Sequence, residues 1–215
     1  MTEIHCDAVL FDLDGVLVRS MELIERILRE WAVGHGLDPD TCVALSHGRR
    51  DIDLVRLVAP HLDAEAETAR ITHREEREVS GLLPVPGALP LVAALPAHRW
   101  AVVTSGTGKV ARARLAAAGV PRPTHLIAAE DITEGKPDPE GYLRAAGLLG
   151  TAPGRCAVVE DASAGIDAAL AAGMHPIGLG DALRGSAQPL TAWVPDLRAI
   201  TCLPAPDGLV LKVAT

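Results

Sequence analysis

The chain has 215 residues, enough for one domain with a sizeable core or for a core carrying a smaller insertion. Hydrophobic residues make up 48% and charged residues 22%, which excludes a disordered chain, and 20 Lys and Arg against 28 Asp and Glu leave a net charge of −8, the wrong sign for affinity built on a nucleic-acid backbone. Three Trp, one Tyr and one Phe are too few rings for a base-stacking platform, and no apolar run approaches the ~18 residues of a membrane span, so a soluble cytoplasmic protein without nucleic-acid or membrane partners is expected.

Met1 to Asp7 lacks a basic region followed by an apolar one, so no secretory leader is expected. Ala8-Val9-Leu10-Phe11 is the first apolar run short enough for a buried parallel strand. Trp100–Val103, Leu126–Ala128, Cys156–Val159 and His175–Leu179 repeat the pattern. Ala- and Leu-rich helical stretches around 107–118, 139–149 and 163–172 lie between the later runs, and this alternation predicts an α/β fold with a doubly wound parallel sheet.

Residues 20–83 break that rhythm. Ser20 is a candidate N-cap for a helix over Met21–Leu28, where Glu22 and Arg26 stand at pairing distance in sequence, and 50–58 and 65–79 also show helical periodicity. The prediction is a core formed by 1–19 and 84–215 with a helical domain, 20–83, inserted between. Leu83-Pro84-Val85-Pro86-Gly87 marks the far boundary, because two prolines withhold donors that a continuing helix needs. The proline-rich C-terminal region, with Leu209–Val213 after the turn-like Asp207-Gly208, reads as edge strands and turns closing the core. Cys6, Cys42, Cys156 and Cys202 form no CxxC pair and have no His at zinc-ligand spacing, so they read as reduced thiols without a functional role.

The chemistry-bearing residues cluster at strand ends. Asp12-Leu13-Asp14-Gly15 follows the first strand, putting two carboxylates at alternate extended positions on the sheet edge where open α/β folds bind ligands. Glu160-Asp161 follows the strand at 156–159. If the two strands are neighbours, the repulsion between these carboxylates calls for a cation, and hard oxygen ligands favour magnesium; Glu160-Asp161 can equally cap the next helix. Thr104-Ser105-Gly106 ends another strand just before a helix, an arrangement of hydroxyls and amides suited to a phosphate, although Ser and Thr there also serve as caps. Gly135-Lys136-Pro137 places an ammonium on a loop whose backbone the proline restricts.

Taken in order, Asp12-Leu13-Asp14-Gly15, Thr104-Ser105-Gly106, Gly135-Lys136-Pro137 and Glu160-Asp161 resemble the haloacid-dehalogenase-like superfamily across nearly the whole chain. Within it, Ser46–Arg50, Val85–Ala88, Lys136–Leu143 and Glu160–Ile166 are similar to the small sugar- and polyol-phosphate phosphatases that carry a helical cap. Two positions depart from the pattern: Val16 stands where Thr is common, and Arg19 where Asp is common.

The resemblance implies a Rossmann-like core and a magnesium-dependent phosphatase acting on hexitol, hexose or glycerol phosphates. Asp12 would be the nucleophile, Asp14 the acid and base, and Lys136 the catalytic cation. Thr104, Ser105 and Gly106 would hold the phosphate, with the choice between the two hydroxyls left open. Asp12, Asp14 (by its carbonyl), Glu160 and Asp161 would surround the metal. His47, Arg49 and Arg50 are the candidates in the cap for substrate contacts, with solvated loop charges the competing reading. A sugar phosphomutase of the same fold and a non-catalytic phosphometabolite sensor are the alternatives, and a monomer or weak homodimer is expected.

Overall fold

The chain opens with two strands, β1 (Thr2–Cys6) and β2 (Ala8–Phe11), that separate at Asp7 and join different sheets. Four helices follow: α1 (Met21–Gly34), α2 (Pro39–Ser46), α3 (Asp51–Val58) and α4 (Ala64–Arg77). Next come α5 (Ala88–Ala94), β3 (Trp100–Val103), α6 (Gly108–Ala117), β4 (His125–Ile127), α7 (Glu140–Leu148), β5 (Cys156–Glu160), α8 (Ser163–Ala171), β6 (His175–Leu179), β7 (Ala192–Val194), β8 (Ile200–Ala205) and β9 (Gly208–Val213). This computed structural model describes residues 1–214.

Six strands form one parallel sheet in the order β4-β3-β2-β5-β6-β7. The architecture is α/β and Rossmann-like. Every residue of β2, β3 and β5 is buried, as expected of strands covered on both faces. Their side chains alternate between two apolar layers: Val9, Phe11, Val102, Ala157 and Val159 pack on one side, and Ala8, Leu10, Ala101, Val103 and Val158 on the other, against Tyr142, Ala145, Ala168 and Ala169 of α7 and α8. Chain order reverses between β2 and β5, which pair with Phe11 opposite Val159. Adjacent carboxyl ends at such a reversal leave a crevice, and Asp12 and Glu160 stand at it.

The link out to α1 and the link back from α4 run side by side. Arg19 N–H donates to Leu83 O at 2.9 Å, and Val85 N–H to Leu17 O at 3.0 Å. Leu23, Ile27, Leu28 and Trp31 form the buried stripe of α1, and Trp31 Nε1 donates to the buried Glu67 of α4 at 3.0 Å. Asp38 caps α2 through Thr41 N–H and Asp63 caps α4 through Ala66 N–H, both at 3.0 Å.

Several local expectations differ from what the structure holds. Ser20 occupies the N-cap position of α1 but makes no side-chain capping bond, because its hydroxyl is spent on Asp14. Arg26 pairs not with Glu22 but with Glu78, 2.8 Å away, and with Glu30. The C-terminal strands do not extend the parallel sheet. β8 and β9 form a hairpin that pairs with β1 in a separate antiparallel sheet, order β1-β9-β8. Ile4 and Cys6 of β1 are buried while Glu3 and His5 are exposed, a two-residue period too short to stand out within a polar N-terminus. No helix among the described residues is long and apolar enough to cross a membrane.

Candidate active site

Asp12 follows β2 directly and is 8% exposed. Lys136, from the loop before α7, donates from Nζ to Asp12 Oδ1 at 2.5 Å, to Glu160 Oε1 at 2.6 Å and to the carbonyl of Val103 at 3.2 Å. Burial works against the ammonium, but the Asp12 and Glu160 carboxylates hold its pKa well above the ordinary lysine value. Burial also pushes the Asp12 carboxyl up to about 7 against the pull of Lys136, with Glu160 and Asp14 adding to the rise.

Both oxygens of Glu160 are committed. Oε1 accepts from Lys136 and from Tyr142 Oη at 2.8 Å, while Oε2 accepts from the N–H groups of Asp161 at 2.9 Å and Ala162 at 3.1 Å. Gly165 lets the helix pass this carboxylate, since a Cβ there would lie 1.7 Å from Oε1. Gly15, in the left-handed region at φ +77, does the same beside Asp161, where a Cβ would meet Oδ2 at 1.9 Å.

Asp12, Glu160 and Asp161 each bring one oxygen within 4.8 Å of the others. Burial and the neighbouring charges of Glu160 and Asp12 raise the Asp161 pKa well above the usual carboxylate range. Hard oxygen donors crowded around one ammonium fit a divalent cation. Asp12 and Asp161 could ligate it directly, since both Glu160 oxygens already accept hydrogen bonds.

Asp14 lines the same cavity as Asp12 and Asp161. One oxygen accepts from the hydroxyl of Ser20, and Oδ2 accepts from Arg114 Nη1 at 2.7 Å. Ser105 and Gly106 line the same cavity, whereas Thr104 is 2% exposed and turns its hydroxyl back to accept the Gly106 N–H at 3.1 Å. Ser105 Oγ donates to the carbonyl of Gly48 at 2.8 Å, tying the loop after β3 to the segment between α2 and α3. Thr107, not Thr104 or Ser105, caps α6 through Val110 N–H.

His47 and Arg49 line the cavity. Arg50 does not: its guanidinium holds Asp53 at 2.6 Å and the carbonyl of Thr133 at 2.9 Å, joining α3 to the loop that carries Lys136. Four further residues complete the surroundings without belonging to any of the sequence motifs: Ser20, Asp51, Glu75 and Arg114. Arg114 had a visible signal, since an arginine three and four residues after Ala111 and Val110 falls on the buried face of α6. Ser20, Asp51 and Glu75 had none, because nothing local distinguishes them from ordinary helix-start or helix-surface residues.

Residues 6–173 match the model of the haloacid dehalogenase-like hydrolase family. The chain is 45% identical over 178 residues to hexitol phosphatase A of Escherichia coli, covering 80% of this chain and 82% of that protein. It is 34% identical over 189 residues to glycerol-1-phosphate phosphohydrolase 2 of Saccharomyces cerevisiae, covering 80% and 74%. The crystal structure of CbbY from Rhodobacter sphaeroides in complex with phosphate shares the fold, with a TM-score of 0.77 at 24% identity over 89% of this chain and 95% of that one. With the family model and these relatives spanning most of its length, the chain belongs to the haloacid dehalogenase-like hydrolase family, as a phosphoric monoester hydrolase.

Proposed function

We propose that this hydrolase cleaves phosphate monoesters of small sugars or polyols, such as hexitol, hexose or glycerol phosphates, through an aspartyl-phosphate on Asp12. The observation that carries the proposal is that Asp12, held by Lys136, lines one cavity together with Asp14 and Asp161. Asp12 attacks phosphorus in line, and the bond to the sugar oxygen breaks as Asp14 delivers a proton to that oxygen. Ser20 and Arg114 fix the Asp14 side chain for this transfer. Asp14 then takes a proton from the water that attacks the aspartyl-phosphate, so that inorganic phosphate leaves, Asp12 is freed as a carboxylate and Asp14 returns to its protonated form. Lys136 and the Ser105 hydroxyl, once released from the Gly48 carbonyl, face the charge that redistributes over the phosphoryl oxygens. Thr104 shapes the loop of Ser105.

Asp12, Asp161 and the Asp14 carbonyl, with Glu160 close by, would hold magnesium, which would offset the like charges of carboxylate and phosphate. Helices α1–α4 act as a cap. The cavity beneath them has a volume of about 70 Å³, and the ester enters as the cap swings away. The bond from Arg50 to Thr133 re-forms on closure, which excludes water.

Phosphate release from a panel of hexose, hexitol, pentose and glycerol phosphates, with and without magnesium, tests this reading. Magnesium-dependent release that is lost in Asp12→Asn is the expected result. An isomerised phosphosugar formed without free phosphate would replace hydrolysis by a mutase reaction.

A further inference from the structure

The cavity has a second pole, built from residues outside the four motifs. Arg114 projects from α6 and is 1% exposed, yet its Nε has no hydrogen-bond partner among the described residues. Its Nη2 lies 2.9 Å from Glu75 Oε1 of α4, an ion pair whose alignment falls short of a hydrogen bond. Glu75 is 4% exposed. Asp51, the first residue of α3, lines the same cavity, where burial and the neighbouring Glu75 and Asp14 raise its carboxyl pKa well above the usual range against the pull of Arg114. A buried guanidinium N–H left without a partner costs free energy, and a bound hydroxyl oxygen would recover it.

The sign of the charge narrows that group. Asp14, Asp51 and Glu75 surround one guanidinium, so this pole has no spare positive charge. The guanidinium of the other arginine lining the cavity, Arg49, is engaged by the carbonyl of Leu45 in α2, to which Nη1 donates at 2.6 Å. We propose that Asp51, Glu75 and Arg114 form the leaving-group subsite of the cap and core, accepting a neutral, hydroxyl-rich alcohol and rejecting esters that carry a second anionic group. The subsite rests on the phosphatase reading above. Hydroxyl protons meet the carboxylates of Asp51 and Glu75, and a hydroxyl oxygen meets Arg114 Nε. A second carboxylate or phosphate would sit against like charges in a site closed to water.

Glycerol 3-phosphate and 3-phosphoglycerate differ in whether the end carbon is a hydroxymethyl or a carboxylate, and they form the test pair. Calorimetric binding to the Asp12→Asn protein with magnesium, and phosphate release by the unaltered enzyme, are measured with both. The expected preference for glycerol 3-phosphate is about 100-fold, and Asp51→Asn with Glu75→Gln should narrow it by about tenfold, mainly by improving 3-phosphoglycerate. Equal binding of the two esters, or a preference untouched by those substitutions, overturns the subsite. Release without preference sinks the subsite and leaves the hydrolytic reading standing. Preferential binding with no release by the unaltered enzyme does the reverse.

Discussion

Lys136 shows how much one side chain carries. Its ammonium is the cation in contact with both Asp12 and Glu160, at 2.5 and 2.6 Å. Lys136→Ala leaves those buried carboxylates without their counter-charge and removes a cation from the phosphoryl oxygens; phosphate release should fall by about 10²–10³-fold, as read by steady-state kinetics. Gly15→Ala should be as damaging for a different reason. A methyl group would collide with Asp161 Oδ2 and force an L residue into φ +77, so both the midpoint of chemical unfolding and the apparent magnesium affinity should drop. The thiols give the opposite expectation. Burial pushes Cys6 up to about 12 and Cys156 up to about 11, and all four cysteines are buried without disulfides. A thiol-reactive dye should label them only after unfolding. At this scale Asp12, Asp14 and Asp161 stood out by residue type and strand-end position, and Lys136 by its loop and its order among the other motifs. The contacts of Ser20 and Arg114 with Asp14 were not, because they depend on side chains 6 and 100 positions away meeting at one carboxylate.

At the scale of elements, local chemistry explains where the helices begin. Asp63 accepts the Ala66 N–H at the start of α4, so Asp63→Ala should lower stability by about 1 kcal/mol in urea unfolding. The signal for α2, an Asp followed by Pro at the first helical position, stands in the sequence at Asp38-Pro39. Arg50 belongs to this scale as well. Its bonds to Asp53 and to the Thr133 carbonyl join α3 to the loop before α7. Arg50→Ala should therefore raise KM for all esters alike by several-fold, without changing the order of preference among them. A selective loss of one substrate would show instead that Arg50 contacts the leaving group.

Across the whole molecule, two sheets meet at Asp7, the single residue between β1 and β2. Its carboxylate accepts from Arg155 Nε at 3.0 Å and Nη2 at 2.7 Å, and Arg155 Nη2 also reaches the Asp207 carbonyl in the β8–β9 turn. The Arg155 hydrogen bonds hold the Asp7 carboxyl below its usual range. A carboxyl whose folded pKa is depressed stabilises the fold above its unfolded pKa, about 3.9, and that stability is lost as pH falls through the folded value. The pair is partly exposed, so its share is small. Stability measured from pH 5 downward should fall less steeply in Asp7→Asn than in the unaltered chain. An unchanged slope would show that the clamp contributes nothing measurable.

The sequence by itself determined the parallel core and the four acidic, hydroxyl and lysine motifs, because buried strands are continuous apolar runs and ligands gather where those runs end. Only the tertiary structure decided that β1 pairs with β9, that Ser105 and Gly106 line the cavity while Thr104 turns inward, and that Asp51, Glu75 and Arg114 share its second pole. These depend on contacts between residues distant in the chain. Burial and the partner group, not the local pattern, set what each side chain does there.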